Sequence, residues 1–290
     1  MIQEIRAKTL LIACKDSDSW FGVRYRFNIY RGCQHQCIYC DSRSECYGIE
    51  NFADIQVKVN AIELLEQELA RKRQVALIGT GAMSDPYTPA ESLYNLTGRS
   101  LQVLARRHFG VHIMTKSDLV LRDVEILSEI ARLYCSVAFS IDTTDDILAL
   151  KLEPGAPLPS ARFRAMETLA KRGIRTGVAL MPVLPYLEDN ETNVIAIVRR
   201  ASESGASFLL PWFGLSMRAG QREYFYLKLD ELFPGLRQKY QQRYGLRYDC
   251  PSPDAARLTQ VCRDECRRLG LICSMKEWVK TIRFGQLSLY

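Results

Sequence analysis

From Arg26 to about Tyr244, short β-type runs and longer amphipathic stretches take turns, and few folds accept that order. Arg26–Gly32 (RFNIYRG) reads as a strand ending in a turn, and Ala61–Arg73 as a helix. Gln74–Ala82 is a continuous apolar run ending in glycines, the pattern of a strand buried on both faces. The series continues with a helix over Ser92–Arg107, a strand over Gly110–Lys116, a helix over Leu121–Tyr134 and a strand over Ser136–Ile141. Next come a helix over Ser160–Gly173, with Ser160 as its N-cap and Gly173 as its stop, and a strand over Arg175–Val183. A helix over Glu191–Gly205, a strand over Ala206–Trp212 and two further helical segments complete six βα units. Six such units predict an α/β fold with a parallel sheet and right-handed crossovers, either an open doubly wound sheet or a partial TIM-type barrel. Both put chemistry at the carboxyl ends of the strands. GTG at Gly79–Gly81 falls short of a dinucleotide fingerprint, and there is no Walker P-loop. After about Tyr248 the alternation stops, and the remainder reads as one helix, a short strand and a tail. The expected organisation is an extension over 1–22, a core over 23–248 and a C-terminal piece over 249–290.

The ten cysteines carry the chemical information. No apolar run is long enough for a membrane span, and the first twenty residues lack a signal-peptide layout, so a cytoplasmic protein with no membrane partner is expected. Clustered cysteines in such a chain point to metal or catalysis rather than disulfides. Cys33, Cys37 and Cys40 stand as C-x3-C-x2-C directly after the first predicted strand. Three thiolates on a short loop converge on one soft metal centre, and an iron–sulfur cube held by three cysteines keeps one iron open. A zinc knuckle or a purely structural cluster is the competing reading. Cys46 is either a fourth ligand that closes the centre or, as favoured, a loop thiol. Cys250, Cys262, Cys266 and Cys273 are either an auxiliary cluster or, as favoured, small buried apolar residues.

Here the chain resembles the radical S-adenosylmethionine (SAM) superfamily, whose mark is C-x3-C-x2-C with an aromatic residue before the last cysteine, as Tyr39 is. YRGC-x3-CIYC, GTGAMSDPY, TKSDLVLRD, EPGAPLPSARF and LMPVLP are similar to its spore photoproduct lyase-like, or DNA repair photolyase-like, branch. The resemblance implies a partial (β/α)6 barrel of the TIM type, a [4Fe–4S] cluster on Cys33, Cys37 and Cys40, and SAM as second cofactor. It implies reductive cleavage of SAM to a 5′-deoxyadenosyl radical that takes hydrogen from a substrate, with a nucleic-acid base lesion one candidate. It implies an electron donor such as a flavodoxin or ferredoxin. Ser84 and Asp85 would accept from the cofactor's ammonium, while Lys116 and Ser140 would meet its carboxylate. Each has a plainer reading: an Asp-Pro turn, a solvated lysine, a satisfied core hydroxyl. Arg162 is expected to pair with Glu153 and stays outside the site. In the lyase a cysteine precedes the Ser-Asp pair and returns hydrogen to the product; here Met83 stands there and has no S–H to give. Cys135, Cys46 or a tyrosine would have to serve instead, or the substrate differs.

The net charge of +6 permits a nucleic-acid partner without requiring one. Pairs such as Arg106-Arg107 and Arg199-Arg200 read as solvated helix faces. Tyr240, Tyr244 and Tyr248, beside Arg237, Arg243 and Arg247, are either a base-stacking face or, as favoured, an aromatic stripe packed into the core. His35 is expected to face solvent; His108 and His112 read as structural. The residues alone leave two other functions open: a non-catalytic iron–sulfur or zinc protein, and a nucleic-acid-binding module.

Overall fold

A computed structural model describes residues 1–14, 21–49, 51–81 and 83–282. Parts of the expected N-terminal extension and tail, and Ala82 of the second predicted strand, therefore lie outside the described residues. In chain order the elements are β1 (Ile2–Ile5), β2 (Ile12–Ala13), β3 (Tyr25–Phe27), β4 (Tyr30–Arg31), β5 (Ile55–Lys58), α1 (Ala61–Ala70), β6 (Leu77–Thr80), α2 (Glu91–Tyr94), α3 (Leu96–Arg106) and β7 (Gly110–Thr115). There follow α4 (Val124–Ala131), β8 (Cys135–Ser140), α5 (Asp146–Leu152), α6 (Pro159–Lys171), β9 (Arg175–Val183), α7 (Glu191–Glu203) and β10 (Phe208–Ser216). The last elements are α8 (Gln221–Leu232), α9 (Leu236–Tyr244), β11 (Asp249–Pro251), α10 (Ala255–Leu269) and α11 (Met275–Lys280).

The six expected units are present as a partial barrel. β3, β6, β7, β8, β9 and β10 lie side by side in that order, each parallel to the next. The ring does not close: β2 caps one edge and β11 the other, both antiparallel. β7 and β8 are buried almost throughout, which is why both read as unbroken apolar runs rather than alternating ones. Helices α3, α4, α6 and α7 cover the outer face, and α10 packs against α7.

Several boundaries differ from the sequence reading. The first predicted strand is two: β3 enters the barrel, while β4 joins β5 and β1 in a separate three-stranded sheet. The predicted helix Ser92–Arg107 breaks at Asn95, whose φ of 49° interrupts it, and asparagine is one of the few residues that tolerates that region. The cap of helix α6 lies two residues earlier than expected: Leu158 holds the cap position, Pro159 occupies the first turn, and the Ser160 amide donates to Asp146 (3.0 Å). Ahead of residues 283–290, which lie outside the described residues, the C-terminal stretch holds β11, α10 and α11 where one helix and a short strand were expected. Of the tyrosine stripe, Tyr240 and Tyr244 are buried and donate to the carbonyls of Pro185 and Pro251, whereas Tyr248 is exposed. The basic pairs are largely tied to neighbouring acids, as Arg106 is to Glu66 and Arg199 to Glu265. No helix among the described residues is long and apolar enough to cross a membrane.

Candidate active site

The C-terminal ends of the barrel strands surround a cavity of about 240 Å³. Cys33, Cys37, Cys40, Ser84, Asp85, Lys116 and Ser140 all line it, so every residue singled out for the site faces one space. Ser140 ends β8; Lys116 follows β7 directly; Ser84 and Asp85 stand not on the second barrel strand but in the loop beyond it. Met83, Met181 and the half-exposed Trp212 complete much of the wall.

The cysteine loop owes its shape to distant residues. The Cys33 amide donates to the Phe52 carbonyl (3.3 Å), and the Gln34 amide to the Thr88 hydroxyl (3.1 Å). The Ile38 amide donates to the Leu152 carbonyl (2.9 Å), and the Gly155 amide to the His35 carbonyl (2.9 Å). Gln221 donates to the Tyr39 carbonyl from α8 (3.1 Å). A buried loop must satisfy its polar backbone, and here separate stretches of chain from all along the barrel do so.

Two glycines permit this closeness. Gly32 takes φ +77°, and a Cβ there would lie 2.9 Å from the carbonyl oxygens of Phe52 and Asp54. At Gly155 a Cβ would meet the Gln34 carbonyl oxygen at 2.1 Å, a contact that only a shift of backbone can relieve. Gly155→Ala is therefore expected to push the cysteine loop out of place while leaving the barrel folded. Iron retained after anaerobic reconstitution should fall about 10-fold or more, the scale on which supporting contacts of metal sites act, with the far-ultraviolet circular dichroism unchanged.

His35 is buried, contrary to the expectation that it faces solvent. Its Nδ1 meets the Gly155 carbonyl (3.1 Å) and its Nε2 the Asp85 carboxylate (3.1 Å). Asp85 accepts from the Tyr87 amide (2.8 Å), the Thr115 hydroxyl (2.6 Å) and the Lys116 amide (2.7 Å), with His35 Nε2 at 3.1 Å. Burial alone would raise its pKa, but His35 and these donors outweigh it and hold the carboxyl below its usual range. Asp85 is thus an anchored anion that ties the cysteine loop to the end of β7.

At the cavity wall begins a largely buried ionic network that sequence reasoning found only in part. The expected pair of Arg162 with Glu153 forms in full burial, and Arg162 also donates to the carbonyls of Ser140 (2.8 Å) and Pro157 (2.7 Å). Lys116 reaches Glu153 (2.8 Å), Asp142 (3.7 Å) and the Ser140 hydroxyl (2.5 Å). Tyr39 donates to Asp142 (3.0 Å) and to Glu153. Burial would lower the Lys116 pKa, yet Glu153 and Asp142 hold it above its ordinary value. Desolvation, then the neighbouring Asp142 charge, pushes Glu188 well up. Asp142 and Glu188 escaped the sequence reading because nothing in their local pattern marks them; Tyr39 was read as part of the cysteine motif, but its hydroxyl's place in this network was not.

The three thiols fit a multinuclear centre better than a single ion. Among the described residues, Cys33, Cys37 and Cys40 do not form a set whose sulfurs all lie within 4.8 Å of one another. A single zinc would demand that closeness, since bonds of about 2.3 Å at tetrahedral angles leave sulfurs only about 3.8 Å apart. Burial, followed by the Asp85 charge, pushes the Cys33 thiol up to about 12, and burial raises Cys37 and Cys40 as well. Thiolates form in such a place when a cationic centre binds them.

The other cysteines stand apart. Cys46 is exposed and accepts from Arg218 (3.5 Å), outside the cavity lining. Cys135 begins β8 and so sits at the far end of the strand from Ser140. Neither is placed as a hydrogen donor to the cavity. His112 is buried, stacks on Phe21 and is pushed down to about 3 by burial, which keeps it neutral.

A sequence profile of the Radical SAM superfamily matches residues 27–196. An uncharacterized protein of Mycobacterium tuberculosis is 32% identical over 231 residues, which is 76% of this chain and 67% of that protein. Among solved structures, spore photoproduct lyase complexed with dinucleoside spore photoproduct superposes with a TM-score of 0.73 at 16% identity, over 94% of this chain and 81% of the lyase. A mutant of the lyase with bound AdoMet and dinucleoside spore photoproduct gives 0.71 at 16% identity, over 94% of this chain and 80% of the lyase. At such identities the likeness speaks for the fold alone.

Proposed function

Since the chain belongs to the radical SAM superfamily, an enzyme superfamily whose cofactors are a [4Fe–4S] cluster and S-adenosylmethionine, we propose that Cys33, Cys37 and Cys40 hold the cluster and that the substrate is a nucleic-acid base. When bound, the pair supplies a 5′-deoxyadenosyl radical able to take hydrogen from carbon. The observation that carries the assignment is the trio of cavity-lining sulfurs, spread too widely for one ion and leaving room for a cofactor beside them.

The protein's part is placement and exclusion of water. Lys116, kept charged by Glu153 and Asp142, presents an ammonium at the cavity wall suited to a carboxylate. The Ser140 hydroxyl stands next to it and shares the same target. Ser84, donating to the Gly32 carbonyl (2.6 Å), keeps lone pairs free for an ammonium, and Asp85 adds a fixed negative charge behind it. The sulfur of Met83 offers no hydrogen, so the reading includes no thiol step at that position.

For the substrate class, two features support a base. Trp212 is half-exposed at the cavity wall and offers a stacking surface. The fold is that of a lyase solved with a dinucleoside lesion. A base extruded into the barrel mouth would meet Trp212 first. An electron donor such as a flavodoxin or ferredoxin completes the proposal.

The decisive experiment is anaerobic reconstitution with iron and sulfide, then electron paramagnetic resonance of the reduced protein with and without SAM. A [4Fe–4S] signal that changes on adding SAM is expected. A signal indifferent to SAM would mean a closed electron-transfer centre, and stoichiometric zinc with no cluster would overturn the ligand assignment. Salt-dependent binding of single-stranded or lesion-bearing DNA tests the substrate class separately, and no binding at low salt would remove it.

A further inference from the structure

Outside the lining of the barrel cavity, the sulfurs of Cys262, Cys266 and Cys273 all lie within 4.8 Å of one another, with Cys262 and Cys273 at 3.7 Å. We propose that these three cysteines form a second, mononuclear site for a soft divalent cation, zinc by first choice, which pins the C-terminal end of α10 to β10. Bonds of about 2.3 Å around a tetrahedral ion place sulfurs about 3.8 Å apart, so the observed spacing suits one ion and is too tight for a cube that gives each thiolate its own iron. The contrast with Cys33, Cys37 and Cys40, which are not so gathered, separates the two trios by nuclearity.

The backbone accounts for this gathering of thiols. Cys262 and Cys266 are four residues apart on the buried face of α10. The helix ends at Gly270 with φ +75°, and the Leu271 amide turns back to the Cys266 carbonyl (2.9 Å). Ile272 is then fixed against β10: its amide donates to Ser207 (3.1 Å) and its carbonyl accepts from Leu209 (2.9 Å). That pairing delivers Cys273 onto the two helical thiols. The sequence grouping of four is corrected: Cys250 packs with Leu215, Phe225 and Tyr226, and its thiol points at the Arg247 carbonyl (3.6 Å).

A fourth protein ligand is lacking among the described histidines, cysteines and acids. Cys273 is half-buried and lines a second cavity of about 770 Å³ with Thr259, Arg263 and Ser274. Water from that side completes the coordination.

The test uses the full chain after iron–sulfide reconstitution, dialysed with added zinc and then against metal-free buffer, with iron and zinc counted by elemental analysis. Wild type should keep about one zinc beside its iron. Cys273→Ser and Cys266→Ser should each lose at least 10-fold of that zinc with iron unchanged, the iron also reporting an intact fold. Cys250→Ser should keep both metals, and a Cys33/Cys37/Cys40 triple alanine variant should keep the zinc and lose the iron. Less than a tenth of an equivalent of zinc in wild type, or wild-type zinc in Cys273→Ser, would overturn the site. So would a Cys262–Cys273 disulfide recovered from unreduced, alkylated protein.

Discussion

Alanine at any one of Cys33, Cys37 or Cys40 is expected to abolish reductive SAM cleavage, with 5′-deoxyadenosine formation falling more than about 100-fold. Losing even an outer partner of a metal centre costs about 10- to 100-fold, and these are proposed as direct ligands. The reason lies in the loop's own geometry. All three cysteines are lining residues of one cavity, and no fourth cysteine among the described residues lines it as a replacement. Cys46→Ala serves as the contrast. Its thiol is exposed and engaged with Arg218, so the variant should retain full iron and full cleavage. Cleavage at wild-type rate in Cys37→Ala would end the cluster assignment, and iron loss in Cys46→Ala would restore the closed four-cysteine centre.

The second large effect concerns stability. Arg162→Met should cost about 3–5 kcal/mol, because it leaves a buried carboxylate short of its main partner. Arg162 is itself only 1% exposed, and its guanidinium also satisfies the carbonyls of Pro157 and Ser140, so the loss reaches the end of β8. The expected fall in melting temperature is on the order of 10 °C. Pairing it with Glu153→Gln should recover part of the loss, since the charge that lacked a partner is gone. The pH response follows from Glu153. Burial opposes its ionisation, but Arg162 and then Lys116 outweigh burial and depress the carboxyl from 4.5 to about 2. A depressed carboxyl contributes stability that is complete above pH 4.5 and is lost as pH falls through about 2. Removing Arg162 raises that pKa, so acid unfolding of the variant should begin at higher pH than in wild type. An unshifted acid transition, followed by circular dichroism, would remove Arg162 from this role.

The barrel was legible because its strands announce themselves. β9 spans the expected Arg175–Val183, and β8 covers nearly all of the expected run, since burial on both faces demands unbroken apolar sequence. The small sheet was not legible. β1 is mostly exposed, and β4 has two residues, so neither period nor length marks them. The division of RFNIYRG between two sheets was hidden for a related reason: a two-residue period says which residues share a face, not which sheet receives them. In the site, the cysteine spacing and the strand-end polar residues could be read locally. The burial of His35 could not, because its partners Asp85 and Gly155 are distant in sequence. Cys262, Cys266 and Cys273 show the same limit: their spacing fits no familiar ligand pattern, and only the return of the chain along β10 closes the trio.

The remote anchoring of the cysteine loop sets a timetable for biosynthesis. Gly155 lies 120 residues after His35, and Gln221 follows Tyr39 by 182. At about 5–20 residues per second, a ribosome needs roughly 10–40 s after making the loop to make its last anchor. Early in that interval the loop has only its nearer anchors, Phe52 on the Cys33 amide and Thr88 on the Gln34 amide. A motif made early in the chain is thus among the last parts of the barrel to be fully anchored.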